Sequence, residues 1–168
     1  DSVCCHPDMY IHHLGLRNVV AAPNSPKNTI YELQKRGFNI IKGQKAVSGK
    51  YPDSVAYNVA RIGEFAVCCM KYCDPVLLRN LYDMNIKIID VKQGYSKCSV
   101  CIVNSRAVIT SDDGIYNALL NNGFDVLKIS PGYISLPDLN YGFIGGASGL
   151  LDDVAVSFAG NIEGHPDF

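Results

Sequence analysis

Three residues carry the side chains best suited to catalysis, and they lie near the start and the middle of the chain. His6 and Asp8 stand two positions apart on a segment expected to be extended, so both point to one face, as a proton shuttle and an orienting or substrate-binding carboxylate require. Cys98 follows Lys97, and a nearby cation lowers the pKa of a thiol toward the nucleophilic thiolate. The structural alternatives are a turn at Pro7 and a packed cysteine in a strand.

A second His-Pro-Asp triplet lies near the end of the chain, where a helix is expected to begin. Asp167 of this triplet also suits a helix N-terminus, whose dipole stabilises negative charge. Upstream, the glycine-rich run 145–149 allows close backbone approach to another group, but it matches neither a P-loop nor a dinucleotide fingerprint. The predicted substrate contacts from these two segments are Gly145, Gly146, His165 and Asp167.

Metal binding is the weaker interpretation of the cysteines and histidines. Cys98 and Cys101 form a C-x-x-C pair, but residues three apart on a strand face opposite sides and cannot chelate one ion together. Near the start of the chain there are enough cysteines and histidines to bind adventitious zinc: Cys4, Cys5, His6, His12 and His13. We therefore predict neither a metal nor another cofactor.

Composition indicates a folded domain that binds neither nucleic acid nor a membrane. The 168 residues are 48% hydrophobic and 18% charged, with a net charge of −1 and no basic cluster. The longest apolar runs have the length of strands. The odd count of 7 cysteines, with adjacent pairs at Cys4-Cys5 and Cys68-Cys69, argues against a disulfide framework and favours a reducing, cytoplasmic compartment.

The segment from Tyr95 to Gly132 predicts the elements that position these residues. Its pattern is a hairpin from Cys98–Val103 and Ala107–Thr110, a helix that begins near Asp112 or Asp113 and ends at Gly123, and a third strand over Phe124–Ile129. The pattern is therefore ββαβ.

Two earlier segments repeat this ββαβ pattern. The first copy predicts strands Met9–His13, Asn18–Ala22 and Phe38–Ile41 around a helix at Lys27–Arg36. The second predicts strands Val55–Val59, Glu64–Cys69 and Ile86–Val91, with a helix from Asp74-Pro75 to Met84. A fourth copy begins at Tyr141, contains a strand at Val154–Ala159 and stops at Phe168. The repeat spacing of roughly 40 to 50 residues is typical of solenoids and propellers.

The starts of the units also match one another. They read His6-Pro7-Asp8, Tyr51-Pro52-Asp53 and Tyr95-Ser96-Lys97-Cys98. In closed arrays of strand-rich units, equivalent ends converge on the axis. We therefore expect these segments to face a central site, and Asp53 is a further predicted substrate contact.

Repeated ββαβ units with His-x-Asp at the start of one unit and Cys at the start of another resemble the pentein fold of guanidino-group-modifying enzymes. The runs Val91–Ser99 and Tyr141–Gly149 and the two His-Pro-Asp triplets resemble, more narrowly, an uncharacterised bacterial family assigned to that fold. The resemblance implies an α+β, pseudo-symmetric propeller over residues 1–168. Its units would span about residues 1–48, 49–93, 94–139 and 140–168, about three and a half of the five that penteins have.

The same resemblance implies a function. Penteins attack a guanidinium carbon with a Cys thiolate, use a His to move protons and hold the substrate nitrogens with carboxylates. The expected activity is that of a Cys-dependent hydrolase or transferase for a small guanidine or amidine compound. Ala147 stands where penteins often carry a substrate-binding acid, which Asp152 or Asp153 would have to replace. The alternatives are a non-catalytic pentein that binds a ligand or partner, and a zinc-binding module. Unpaired edges left by an absent fifth unit would favour homo-oligomers.

Overall fold

The computed structural model describes residues 6–137, 139–152 and 154–168, which form a mixed α+β arrangement of short sheets and helices. The three helices of this part of the chain are α1 Lys27–Lys35, α2 Pro75–Asp83 and α3 Asp113–Leu120. The strands of the first two sheets are β1 Ile11–Gly15, β2 Asn18–Ala21, β3 Asn39–Lys42, β4 Ala60–Ile62, β5 Phe65–Cys68 and β6 Lys87–Asp90. The remaining strands are β7 Val100–Ile102, β8 Ala107–Thr110, β9 Asp125–Lys128, β10 Ser148–Asp152 and β11 Ala155–Phe158.

Three of the sheets share one topology. Their strand orders are β1-β2-β3, β4-β5-β6 and β7-β8-β9. In each sheet the first pair of strands is antiparallel and the second pair is parallel, with a helix in the connection between the parallel strands. A parallel pair needs such a crossover connection, which explains why each sheet has its own helix. The ββαβ pattern that the sequence predicts three times is therefore present three times in the described residues.

Helices α2 and α3 begin at aspartate caps and bury one apolar stripe each. The Asp74 side chain accepts hydrogen bonds from the first turn of α2, and Asp112 does the same for α3. The stripes repeat at a spacing of four residues, which places successive side chains on one helix face. Their buried members are Leu77, Leu81, Ile115 and Leu119.

Each of these helices packs between two neighbouring sheets. Leu77 and Leu81 of α2 lie in one core cluster with Val20 of the first sheet and Ala66 of the second. The next cluster joins the second and third sheets around α3 in the same way. This packing sets the units side by side, and it brings the segments that precede β4 and β7 close to the start of the described chain.

One predicted strand is absent from the described residues, and one observed strand was not predicted. Residues 55–59 are predicted as a strand, but Val55 ends the 3-10 turn Asp53–Val55. A further turn follows, in which Asn58 N donates to Val55 O at 3.1 Å. Their apolar run indicates burial correctly, but burial alone does not distinguish a strand from a packed turn. In the last part of the chain, β10 pairs antiparallel with β11, and the glycine-rich sequence gave no signal for β10.

None of the helices formed by the described residues is long and apolar enough to cross a membrane.

Candidate active site

Cys98 lies in a turn directly before β7 and is 5% exposed. The backbone of this turn is held by the side chain of Asn58, whose Oδ1 accepts hydrogen bonds from Lys97 N at 2.8 Å and Cys98 N at 3.2 Å. Asn58 itself is 1% exposed and comes from the segment before β4. A buried amide from the second unit therefore fixes the position of the thiol in the third.

The Asp8 carboxylate contacts the same thiol. Cys98 Sγ donates to Asp8 Oδ2 at 3.0 Å, and Asn58 Nδ2 lies 3.1 Å from that oxygen and 3.2 Å from the sulfur. Asp8 belongs to the 3-10 turn Pro7–Met9, which precedes β1. Carboxylate, amide and thiol thus come from the starts of three successive units and form one hydrogen-bonded group.

Burial and the adjacent carboxylate keep Cys98 protonated. Desolvation, followed by the negative charge and hydrogen bond of Asp8, raises the pKa of Cys98 to about 12. The Asn58 hydrogen bond and the Lys97 charge act in the opposite direction but are smaller. At neutral pH the group therefore rests as a thiol donating to a carboxylate, and it needs an additional positive charge to become a thiolate.

A cavity of about 340 Å³ opens beside Cys98. His6 and Cys98 both line this cavity, so the predicted imidazole and the predicted thiol face the same space. The other lining residues are mostly aromatic or apolar: Met9, Tyr95, Leu136, Leu139, Asn140, Tyr141, Phe143 and Gly146. Tyr95 and Phe143 stack with ring centroids 6.1 Å apart. The cavity is large enough for a small organic ligand.

Gly145 and Gly146 pack against the backbone that carries Cys98. A Cβ at Gly145 would collide with the carbonyl oxygens of Lys97, Cys98 and Val100, so only glycine fits there. Gly146 N donates to Cys98 O at 3.1 Å, and Lys97 Nζ donates to Gly145 O at 3.3 Å. These contacts hold the turn of Cys98 against the segment before β10, and Gly146 also lines the cavity.

His165 and Asp167 line a second, adjacent cavity of about 450 Å³. Asp167 N donates to His165 Nδ1 at 3.2 Å, and the Asp167 carboxylate accepts from Ser130 N at 2.5 Å. That backbone hydrogen bond lowers the pKa of Asp167. His165 Nε2 is buried without a hydrogen-bond partner among the described residues. The pair thus lies beyond the Cys98 cavity, and His6 belongs to the walls of both cavities.

The remaining predicted contacts lie elsewhere. Asp53 is exposed and accepts a 3.4 Å hydrogen bond from Ser48 Oγ, and it does not line the Cys98 cavity. Asp152 ends β10 and accepts from Val154 N in the hairpin turn, and Asp153 lies outside the described residues. The group at Cys98 is therefore built from the starts of units one, two and three, but in unit two by Asn58 and not by Asp53.

Asn58 is the member of the site that sequence reasoning missed. It stands inside the apolar run 55–60, where a buried amide must find hydrogen-bond partners. An isolated polar residue in a predicted core segment was the available signal. Its partners could not be identified from the sequence, because they lie 40 to 50 residues away along the chain.

Metal ligands do not converge among the described residues, where no three His, Cys, Asp or Glu side chains form a group that could hold an ion. His12, one of the residues considered for zinc, is buried instead. Its burial and the neighbouring Arg61 charge lower the pKa of His12 to about 4. Cys4 and Cys5 lie outside the described residues. The five cysteines that the structure describes are free thiols.

Comparisons with known proteins give a family and a similar solved structure. The model of a family of unknown function (DUF6873) matches residues 1–168. No curated protein matches the chain. Among solved structures, C. jejuni agmatine deiminase is similar with a TM-score of 0.42 and 12% identity, over 73% of this chain and 49% of that one. The chain thus spans about half the length of that structure.

Proposed function

This chain belongs to the family of unknown function DUF6873, and we propose that it is a Cys-dependent hydrolase or transferase acting on a small guanidine or amidine compound. The observation that carries the proposal is the hydrogen-bonded group of Asp8, Asn58 and Cys98 beside a cavity that His6 also lines. A thiol, a carboxylate and an imidazole are the three groups that such a reaction needs.

The carboxylate supplies recognition of the cationic ligand. A guanidinium or amidinium presents planar N–H donors, and a carboxylate accepts them in pairs. Asp8 Oδ2 accepts from Asn58 and from the thiol that lines the cavity, while the Asp8 side chain itself lines a separate pocket with His12 and Lys97. A ligand N–H donor therefore reaches this carboxylate by displacing the thiol from Oδ2. The aromatic rings of Tyr95 and Phe143 add faces that attract a cation.

The bound cation also activates the nucleophile. Its positive charge, placed against Asp8 and Cys98, opposes the carboxylate charge that raises the pKa of Cys98 to about 12. The thiol proton then passes to His6 while the electrophilic carbon is in place. Activation thus depends on the ligand, because the raised pKa of Cys98 favours the thiol over the thiolate in the free protein.

The reaction follows from these positions. The thiolate sulfur attacks the central carbon, a C–S bond forms, and one C–N π-electron pair moves to nitrogen. His6 delivers a proton to the departing amine as the C–N bond breaks, which leaves a covalent thiouronium or thioimidate on Cys98. In the hydrolase water attacks this carbon, and in the transferase an acceptor amine does so; His6 takes a proton from the attacking group and returns it to sulfur as the C–S bond breaks. The thiol is regenerated, and the released product is a urea or amide in the hydrolase and a new guanidine or amidine in the transferase.

We also propose the finer architecture that the sequence predicts, a pentein-like propeller of about three and a half units. The support is the shared ββαβ topology of three sheets and the meeting of their starting segments at Cys98.

A non-catalytic, ligand-binding protein is the second candidate. The observation in its favour is the raised pKa of Cys98, which makes the thiol a stable hydrogen-bond donor to Asp8. Under this alternative a guanidinium or amidinium binds at Asp8 without forming a bond to sulfur.

Two alkylating reagents of equal shape test the proposal. 2-Chloroacetamidine is a cation that resembles the substrate head, and 2-chloroacetamide is its neutral counterpart. We expect Cys98 to react at least about tenfold faster with the amidine at pH 7.5, since each pKa unit that the cation removes increases the thiolate tenfold. Rates at each cysteine are measured by peptide mass spectrometry, with the half-buried Cys69 as the internal control.

The variant Asp8→Asn removes the negative charge and keeps the shape of the side chain. The preference of Cys98 for the amidine should then fall to that of Cys69. The proposed activation would be contradicted if Cys98 of the unaltered protein reacted equally fast with the two reagents. It would also be contradicted if Cys98 still preferred the amidine in Asp8→Asn.

A further inference from the structure

The second cavity adjoins the Cys98 cavity. Four residues line both of them: His6, Leu136, Phe143 and Gly146. A ligand head at Cys98 therefore lies next to about 450 Å³ of further space between the third sheet and the β10–β11 hairpin. A ligand that extends past these shared residues would occupy both volumes.

The chemistry of the second cavity is apolar. Its walls include Ile109, Leu127, Ile129, Phe158 and Ile162. Ile129 belongs to the core cluster of the third sheet, and Ile109 and Phe158 pack against that cluster. Leu127 in contrast is 53% exposed. An apolar ligand group would cover this side chain and remove its surface from water.

The charges of both cavities disfavour an acidic ligand. Among the described residues, neither cavity is lined by a lysine or an arginine. The one carboxylate in the second cavity is Asp167, which accepts a hydrogen bond from Ser130 N. A ligand carboxylate placed there would meet the like charge of Asp167 and no lysine or arginine, and the imidazoles of His6 and His165 are the basic side chains among the described walls.

We propose that the ligand is a guanidine or amidine that carries an apolar alkyl or aryl arm and no carboxylate. The cationic head lies at Cys98, where it takes the place of the thiol as the donor to Asp8 Oδ2, and the arm fills the second cavity. This inference rests on the proposed function for its head and on the second cavity for its arm. It excludes guanidino acids as the preferred ligands of the site.

The test is a binding series on the protein with Cys98→Ser, which cannot form a covalent bond. Methyl-, butyl- and hexylguanidine are compared by isothermal titration calorimetry with 4-guanidinobutyrate and with hexylurea, the neutral match of hexylguanidine. The dissociation constant should fall about three- to fourfold for each methylene that enters the cavity. 4-Guanidinobutyrate should bind more weakly than butylguanidine by at least about tenfold.

Two surface leucines of the third unit give matched variants for the arm. Leu127→Lys places a charge in the second cavity, whereas Leu120→Lys changes a 42% exposed leucine of α3 that lines neither cavity. Leu127→Lys should weaken hexylguanidine at least tenfold and leave methylguanidine unchanged. Leu120→Lys should change neither ligand.

The outcomes separate the arm from the head. In one outcome the affinity does not depend on chain length, but methylguanidine still protects Cys98 of the unaltered protein from alkylation. That result overturns the proposal of an apolar arm and leaves the proposed function standing. Chain-length dependence with equal affinity for hexylurea and hexylguanidine supports the apolar cavity and contradicts the cationic head. Equal effects of the two leucine variants would also overturn the assignment of the arm to the second cavity.

Discussion

Asp8 and Asp74 are two carboxylates with opposite surroundings. Asp74 is 0% exposed and accepts five hydrogen bonds, from the backbone N–H groups of Gln44, Lys45, Val76 and Leu77 and from the Tyr57 hydroxyl. Asp8 is half-buried, and its contacts are the Cys98 thiol and the Asn58 amide. One carboxylate is surrounded by fixed backbone donors, and the other by two side chains.

The difference indicates what each carboxylate does. Backbone donors cannot rotate away, so Asp74 ties the 43–45 loop to the start of α2 and stabilises the fold. A thiol is a weak donor, and replacing it by a guanidinium N–H gives Asp8 a stronger, charge-assisted hydrogen bond. A carboxylate that binds a ligand therefore has weaker partners in the free protein than one that stabilises the fold.

Replacing Asp74 should have the largest effect on stability. Asp74→Ala leaves five donors without their acceptor in a buried place, and we expect the free energy of unfolding to fall by about 3 to 5 kcal/mol. Urea denaturation followed by circular dichroism measures the loss. The matched control is Asp112→Ala, whose carboxylate caps α3 and accepts from Ile115 N and Gln93 Nε2, with an expected loss of about 1 kcal/mol. Equal losses for the two variants would contradict the role assigned to Asp74.

Removing one donor from Asp74 should have an intermediate effect. The Tyr57 hydroxyl lies 2.7 Å from Lys45 O and 3.1 Å from Asp74 Oδ2, and burial, with Asp74 next, raises the pKa of this phenol. Tyr57→Phe keeps the ring in the core and removes the hydroxyl, so the expected loss is about 1 kcal/mol in the same denaturation experiment. A loss as large as that of Asp74→Ala would show that the ring packing, and not the hydrogen bond, is affected.

Asp8→Asn should change stability least and reactivity most. The amide keeps the shape, so we expect the free energy of unfolding to stay within about 0.5 kcal/mol. Because the negative charge helps to raise the pKa of Cys98 to about 12, its removal should move that pKa down toward 9.0. The thiolate fraction at pH 8 then rises, by about tenfold for each unit of pKa. The pH profile of Cys98 alkylation by iodoacetamide measures this change.

Two results would contradict the role of Asp8 in that experiment. An unchanged pH profile in Asp8→Asn would mean that burial alone sets the Cys98 pKa. A loss of stability comparable to that of Asp74→Ala would place Asp8 among the residues that stabilise the fold. The alkylation profile of Cys69 should be the same in both proteins.

Local signals in the sequence determined the repeating elements. Asp74-Pro75 and Asp112-Asp113 mark the starts of α2 and α3, and Gly123 follows the end of α3, because caps and stop signals act on neighbouring residues. Residues 55–59 were assigned a strand wrongly, since their apolar run indicates burial and not backbone shape. Periodicity and caps thus predicted most elements, and predictions from them were least accurate where a turn is buried.

The sequence by itself identified Cys98, His6 and Asp8 as residues of suitable chemistry. Only the tertiary structure decided that Cys98 meets Asp8 across 90 positions and meets Asn58 across 40, and that Asp53 is exposed. The reason is that helices and hairpins depend on neighbours within a few residues, whereas the site depends on how α2 and α3 pack whole sheets beside one another. That packing also raises the pKa of Cys98 by burial, which residue order alone does not specify.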